Sequence, residues 1–143
     1  MTIKNKESFS TDVCFLIASS AHKSYQKLAI KYAAIEPPTW ALLLAQSCRS
    51  AGYKVSILDA NAENLSNDQI LIRINELNPR LICLVVYGQN VNAGTANMRG
   101  AVDINNFLKI NKISCPTAFI GSHVQALPVD TLKKEKSIDI VFT

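Results

Sequence analysis

Charge is sparse along these 143 residues. Charged side chains make up 18% of them, with 15 Lys and Arg against 11 Asp and Glu. The excess of +4 is spread out, apart from one short cluster at Lys133, Lys134 and Lys136. A nucleic-acid surface needs a denser basic stripe, so no nucleic-acid partner is expected. Long apolar runs are also missing, and nothing is long enough to cross a bilayer. The N-terminus, MTIKNKESFSTD, lacks the apolar core of a signal peptide, so a cytoplasmic protein is expected. The four cysteines, Cys14, Cys48, Cys83 and Cys115, stand far apart. No CxxC or CxxxCxxC spacing occurs, which excludes a local metal or iron–sulfur signature; buried free thiols in a reducing compartment are expected.

Several enzyme signatures are absent too. There is no GxxxxGK[ST] phosphate loop and no GxGxxG after the first apolar run. No GxSxG elbow supplies a hydrolase nucleophile. A phosphoacceptor site of the response-regulator kind needs clustered acids after strand one and an Asp after strand three. Those places hold Ser19 with Ser20, and Tyr87.

Apolar residues make up 48% of the chain, enough for one globular domain with a real core. DVCFLIAS, residues 12–19, is apolar without alternation, as in a strand buried on both faces of a parallel sheet. Residues 1–11 read as a flexible arm before it. A long polar connection follows, with room for a turn of helix around Tyr25 to Tyr32; loops of this size usually have a function. Pro37 and Pro38 suit the first turn of a helix. Trp40, Leu43, Leu44, Ser47, Cys48 and Ala51 recur at helical spacing as its buried face, and Gly52 ends it.

Tyr53 to Leu58 is the second strand. Ser66 can cap a helix over residues 68–77 with Ile70, Leu71, Ile74 and Leu77 inward, closed by Pro79. Leu81 to Tyr87 is the third strand. After the loop GQNVNAG comes a helix from about Thr95 to Ile110, carrying Met98, Val102, Phe107 and Leu108. TAFIG is strand four, GSHVQALP a loop, 129–134 a short helix, and IDIVFT strand five. This alternation predicts a doubly wound, five-stranded parallel sheet of Rossmann/flavodoxin-like type with helices on both faces. A strand ending on Thr143 with no helix after it suggests a fragment of a longer chain.

Ligands of open parallel sheets bind beyond the carboxyl ends of the strands. That rule selects the segments around Ser19 to Tyr25, Asp59 to Asn64, Tyr87 to Asn92 and Gly121 to Gln125. They are rich in Ser, Asn, Gln, Gly and His and poor in charge. Such a lining suits a large neutral ligand bearing amides or hydroxyls better than a triphosphate.

In order along the chain, EPPTWALLLAQSCRSAGYKVSILDANAENLS, NPRLICLVVYGQN, PTAFIGSHVQALPVDTL and IDIVFT resemble the N-terminal cobalamin (vitamin B12)-binding domain of cobalamin-dependent radical S-adenosylmethionine enzymes. The shared features are the Pro-Pro helix start, AGxVxxLDA, an NPD-like turn, and GxHxxxxP, here Gly121, His123 and Pro128. The resemblance covers residues 12–143. It implies a cofactor module that presents cobalamin to a C-terminal radical barrel holding a [4Fe-4S] cluster and S-adenosylmethionine. That barrel would perform methyl transfer or related radical chemistry, and this domain alone would not be catalytic. Where many cobalamin domains carry DxHxxG with a cobalt-ligating His, this chain has Ser20, His22 and Tyr25, without the Asp or the Gly. That departure implies cobalamin with its tail detached and no His ligand.

The implied cofactor-binding residues are Ser19, Ser20, His22, Tyr25, Tyr87, Gly88, Gln89, Asn90, Gly121, Ser122 and His123; no metal ligand is assigned. Each has a plainer reading. His22 can be a solvated loop residue, His123 a cap on the next turn, and Tyr87, Gln89 and Asn90 a turn that satisfies its own backbone. Gly121 either lets a ligand approach or merely turns the chain. Trp40 and its leucine neighbours read most simply as core. Two alternatives to the cofactor module remain. One is a degenerate B12-binding-like interaction domain, with large side chains filling the groove where the tail should lie. The other is an unrelated flavodoxin-like enzyme, which would need a converging acid, base and nucleophile.

Overall fold

In the computed structural model, which describes residues 9–18, 37–88 and 91–143, each long apolar run is a strand and all five strands are parallel. They are β1 (Thr11–Ile17), β2 (Val55–Asp59), β3 (Pro79–Val85), β4 (Thr117–Ile120) and β5 (Ile140–Phe142). The helices are α1 (Thr39–Ser50), α2 (Asn67–Leu77), α3 (Val91–Ile110), α4 (Ser122–Ala126) and α5 (Pro128–Lys134). The spatial order is β2-β1-β3-β4-β5, the flavodoxin-like order, so the strand direction of travel reverses between β1 and β3. The doubly wound sheet read from the sequence is therefore the observed one.

The strand period of two sends alternate residues to opposite faces. Cys14, Leu16, Leu58, Ile82, Leu84 and Phe119 face one way, into the larger core with α2, α3 and Val124 of α4. Phe15, Cys83, Val85 and Ala118 face the other, against Ala41 and Ala45 of α1. Register places Ile140 beside Ala118 and Phe142 beside Ile120, on that same α1 side. There Ile140 and Phe142 stay 38% and 43% exposed.

Local chemistry sets the helix limits. Ser66 accepts from Gln69 N–H while the Gln69 side chain accepts from Ser66 N–H, a reciprocal capping box at the start of α2. Asn78 ends α2 in the left-handed conformation, and Pro79 then opens β3. Gly52, at φ +89°, follows the end of α1 where a side chain would be strained. The buried Asn105 of α3 donates to the Ser137 carbonyl at 2.9 Å and its hydroxyl at 3.1 Å, fixing the approach to β5.

Four expectations change. The helix expected from about Thr95 starts at Val91, so the second half of GQNVNAG, read as a loop, is the first turn of α3. The inward face of α1 is Ala41, Leu44, Ala45 and Cys48, while Trp40 and Leu43 are 51% and 59% exposed. WALLLA is apolar on every side, so spacing alone could not set the phase; the alanines win because they let the helix sit close to the sheet. GSHVQALP is not a loop, since residues 122–126 form α4. Five residues are too few for a periodic pattern. Finally, β1 begins at Thr11, and Ser10 just before it donates to the Leu77 carbonyl, so the fold starts within the stretch read as an arm.

Candidate functional site

The carboxyl edge at the β1–β3 reversal is where a doubly wound sheet offers a crevice. Of the residues assigned from the sequence, Tyr87, Gly88, Gly121, Ser122 and His123 are described, and the structure places them past the adjacent ends of β3 and β4, on one side of that reversal. Ser19, Ser20, His22, Tyr25, Gln89 and Asn90 lie outside the described residues.

The floor of this edge is built from small residues. A Cβ on Gly121 would meet the Val86 carbonyl oxygen at 2.1 Å; one on Gly88 would meet Ala93 Cβ at 2.5 Å; one on Gly94 would meet Ser122 Oγ at 2.5 Å. The ends of β3 and β4 therefore touch, and Val86 N–H bonds the Ile120 carbonyl at 2.7 Å. The close neighbour of Gly121 is thus the protein's own backbone. The glycine permits strand ends to join, and α3 and α4 to start side by side. His123 Nδ1 lies 3.4 Å from Thr95 Oγ1, a weak contact that links α4 to the first turns of α3.

The walls are aromatic and apolar. Trp40, in the first turn of α1, stacks on Tyr87 with ring centroids 4.7 Å apart and an interplanar angle of 24°. Asn97 Nδ2 donates to the Tyr87 carbonyl at 3.1 Å and holds the backbone that carries the lower ring. This pair bridges α1 and β3 across the reversal. Nothing in the local pattern announces it, because Trp40 and Tyr87 are distant in the chain. Beyond the pair, Val85, Ile120, Ile140 and Phe142 continue one apolar strip on the α1 side of the sheet.

The loop after β2 stands apart at the outer strand. Asp59 Oδ1 accepts from the N–H groups of Asn61 and Ala62 at 3.1 and 3.0 Å, so that loop closes on its own carboxylate. A separate cavity of about 340 Å³ lies at the opposite, amino end, lined by residues such as Asn78, Arg80 and Pro116.

Burial pushes the Cys14 and Cys83 thiols up to about 12, with neighbouring thiols adding to the effect, so neither supplies a thiolate. Among the described residues, no three His, Cys, Asp or Glu side chains come together as metal ligands. The described edge residues Tyr87, Gly88, Gly121, Ser122 and His123 include no carboxylate, ammonium or guanidinium. A neutral floor beside an aromatic stack suits an uncharged, amide-rimmed ligand. Among the described residues, no helix is long and apolar enough to cross a membrane.

No curated protein and no solved structure matches the chain. The family model of the B12 binding domain matches residues 25–143, and the chain belongs to that family.

Proposed function

We propose that this B12-binding domain holds cobalamin over its carboxyl edge, with the nucleotide tail detached from cobalt and laid toward the α1 face. The observation that carries the reading is the uncharged, glycine-floored edge past the ends of β3 and β4, beside the Trp40–Tyr87 stack. Tyr87, Gly88, Gly121, Ser122 and His123 line it, and Ser19, Ser20, His22, Tyr25, Gln89 and Asn90 are assigned beside them from the sequence. Bound cobalamin supplies a reactive cobalt–carbon bond, and the protein's part is to position it and exclude water.

The order of the Pro-Pro, AGxVxxLDA and GxHxxxxP motifs extends the proposal to a partner. The domain would present cobalamin to a radical barrel carrying [4Fe-4S] and S-adenosylmethionine, in a cytoplasmic enzyme of methyl transfer or related radical chemistry. The degenerate reading calls for large side chains packed across the tail path. The small residues Gly88, Gly121 and Ser122 at the edge itself favour the cofactor instead.

Titration of the chain with hydroxocobalamin and methylcobalamin, followed by visible absorbance and calorimetry, tests the first part. Saturable binding with a shift toward the tail-detached spectrum is expected; no binding at high micromolar concentration would count against it. For the partner, an intact parent lacking an iron–sulfur chromophore would end the radical branch while leaving cobalamin binding untouched.

A further inference from the structure

We propose that Trp40 and Tyr87 form an aromatic platform for the planar base of the cofactor's nucleotide tail, so that Trp40 sets the domain's preference for cobalamin over a tail-less corrinoid. This rests on the cobalamin reading above. Trp40 is the only tryptophan in the chain. It is 51% exposed, although its neighbour Ala41 is fully buried against the sheet. A large apolar side chain left half in water loses much of the stabilisation its burial would give. What it has instead is a stack on Tyr87 at 4.7 Å.

The platform is firmly based. Tyr87 lies two residues past β3, its side chain packs against the core of the α1 face, and its carbonyl is held by Asn97. An indole above a phenol offers a flat π surface without charge, and Tyr87 beneath it packs against the apolar cluster of the α1 face. Within cobalamin, the corrin is fringed with amides and the phosphate is anionic. The benzimidazole base is the planar, neutral, aromatic part, and it is free to stack once detached from cobalt. Bases on aromatic side chains typically lose about 5- to 150-fold in affinity when the ring is cut to alanine.

The test compares wild type, Trp40→Ala and Trp40→Phe in calorimetric titrations with hydroxocobalamin and with dicyanocobinamide, which lacks the tail. Far-UV circular dichroism and urea unfolding check that each variant is folded. Trp40→Ala should weaken cobalamin binding about tenfold and leave cobinamide within about twofold, with Trp40→Phe close to wild type. If Trp40→Ala weakens both ligands equally, or neither, the platform does not read the tail. Tighter cobalamin binding by Trp40→Ala would mean that the stack blocks the tail path, and would overturn the proposal too. Wild type binding neither corrinoid would remove the cobalamin reading itself, a result distinct from wild type and variant binding cobalamin alike.

Discussion

The two ends of the sheet are built on opposite plans. At the amino end, carboxylates tie strand starts together. Asp12 accepts from Lys54 N–H at 2.9 Å and pairs with Arg80 at 3.3 Å, joining β1, β2 and β3. Asp139 accepts from Thr117 N–H at 2.8 Å and from Lys109 Nζ at 2.7 Å, joining β4, β5 and α3. At the carboxyl end these ties give way to glycines, a serine and an aromatic stack. Charge-assisted bonds spend their directionality on register, whereas contact between bare backbones leaves a surface that a ligand can lie on. On the cobalamin proposal, recognition falls at the carboxyl end, while the charge-assisted ties stay at the amino end.

The sharpest way to break that contrast is at Gly121. An added Cβ there meets Val86 backbone, which cannot swing aside without disturbing its bond to Ile120. Gly121→Ala should cost about 3 kcal/mol in urea unfolding. Gly94→Ala is the control, since its Cβ meets the Ser122 hydroxyl, a rotatable group, and alanine favours a helix. Its net effect should stay within about 1 kcal/mol. Equal losses would mean that the junction is held by general crowding and not by the β3–β4 contact.

Much of this was legible in the sequence. Buried parallel strands announce themselves as unbroken apolar runs such as LICLVV, and the Ser66 cap is written within four residues. The ends of the apolar runs marked where the chain leaves β3 and β4, at Tyr87 and Gly121. What could not be read were contacts between distant segments. Gly121 needs to be glycine because of Val86, and Trp40 leaves the core because Ala41 and Ala45 enter it. Both facts depend on which helix lies on which strand, and the local pattern around either residue is the same with or without the contact.

At the amino end, Asp139→Asn should cost about 1 kcal/mol, because an amide accepts more weakly than a carboxylate. Desolvation alone would raise the Asp139 pKa, but Lys109 and the Thr117 N–H and hydroxyl outweigh it and hold it below the usual carboxylate range. A depressed folded-state pKa stabilises fully above the unfolded value and is lost as pH falls through the folded one. The gap between wild type and Asp139→Asn should therefore close as acid is added, measured by unfolding at stepped pH. Cobalamin affinity should not change; a large change would place recognition at both ends.

The smallest expected signal separates the two faces rather than the two ends. Cys83 lies under the α1 face and Cys14 on the opposite face, both buried and both pushed up to about 12 by desolvation. At pH 8 roughly one part in ten thousand of either is thiolate, so a disulfide reagent should leave both untouched in the native protein. In urea below the unfolding transition the faces should diverge. Among the described residues, α1 alone covers Cys83, while α2, α3 and α4 share the cover of the other side. Local opening follows the weaker cover. In chains keeping a single one of these two cysteines, Cys83 should be labelled a few-fold faster than Cys14. Identical rates at every urea concentration would mean that the sheet opens only as a whole, and that the α1 side is held as tightly as its opposite.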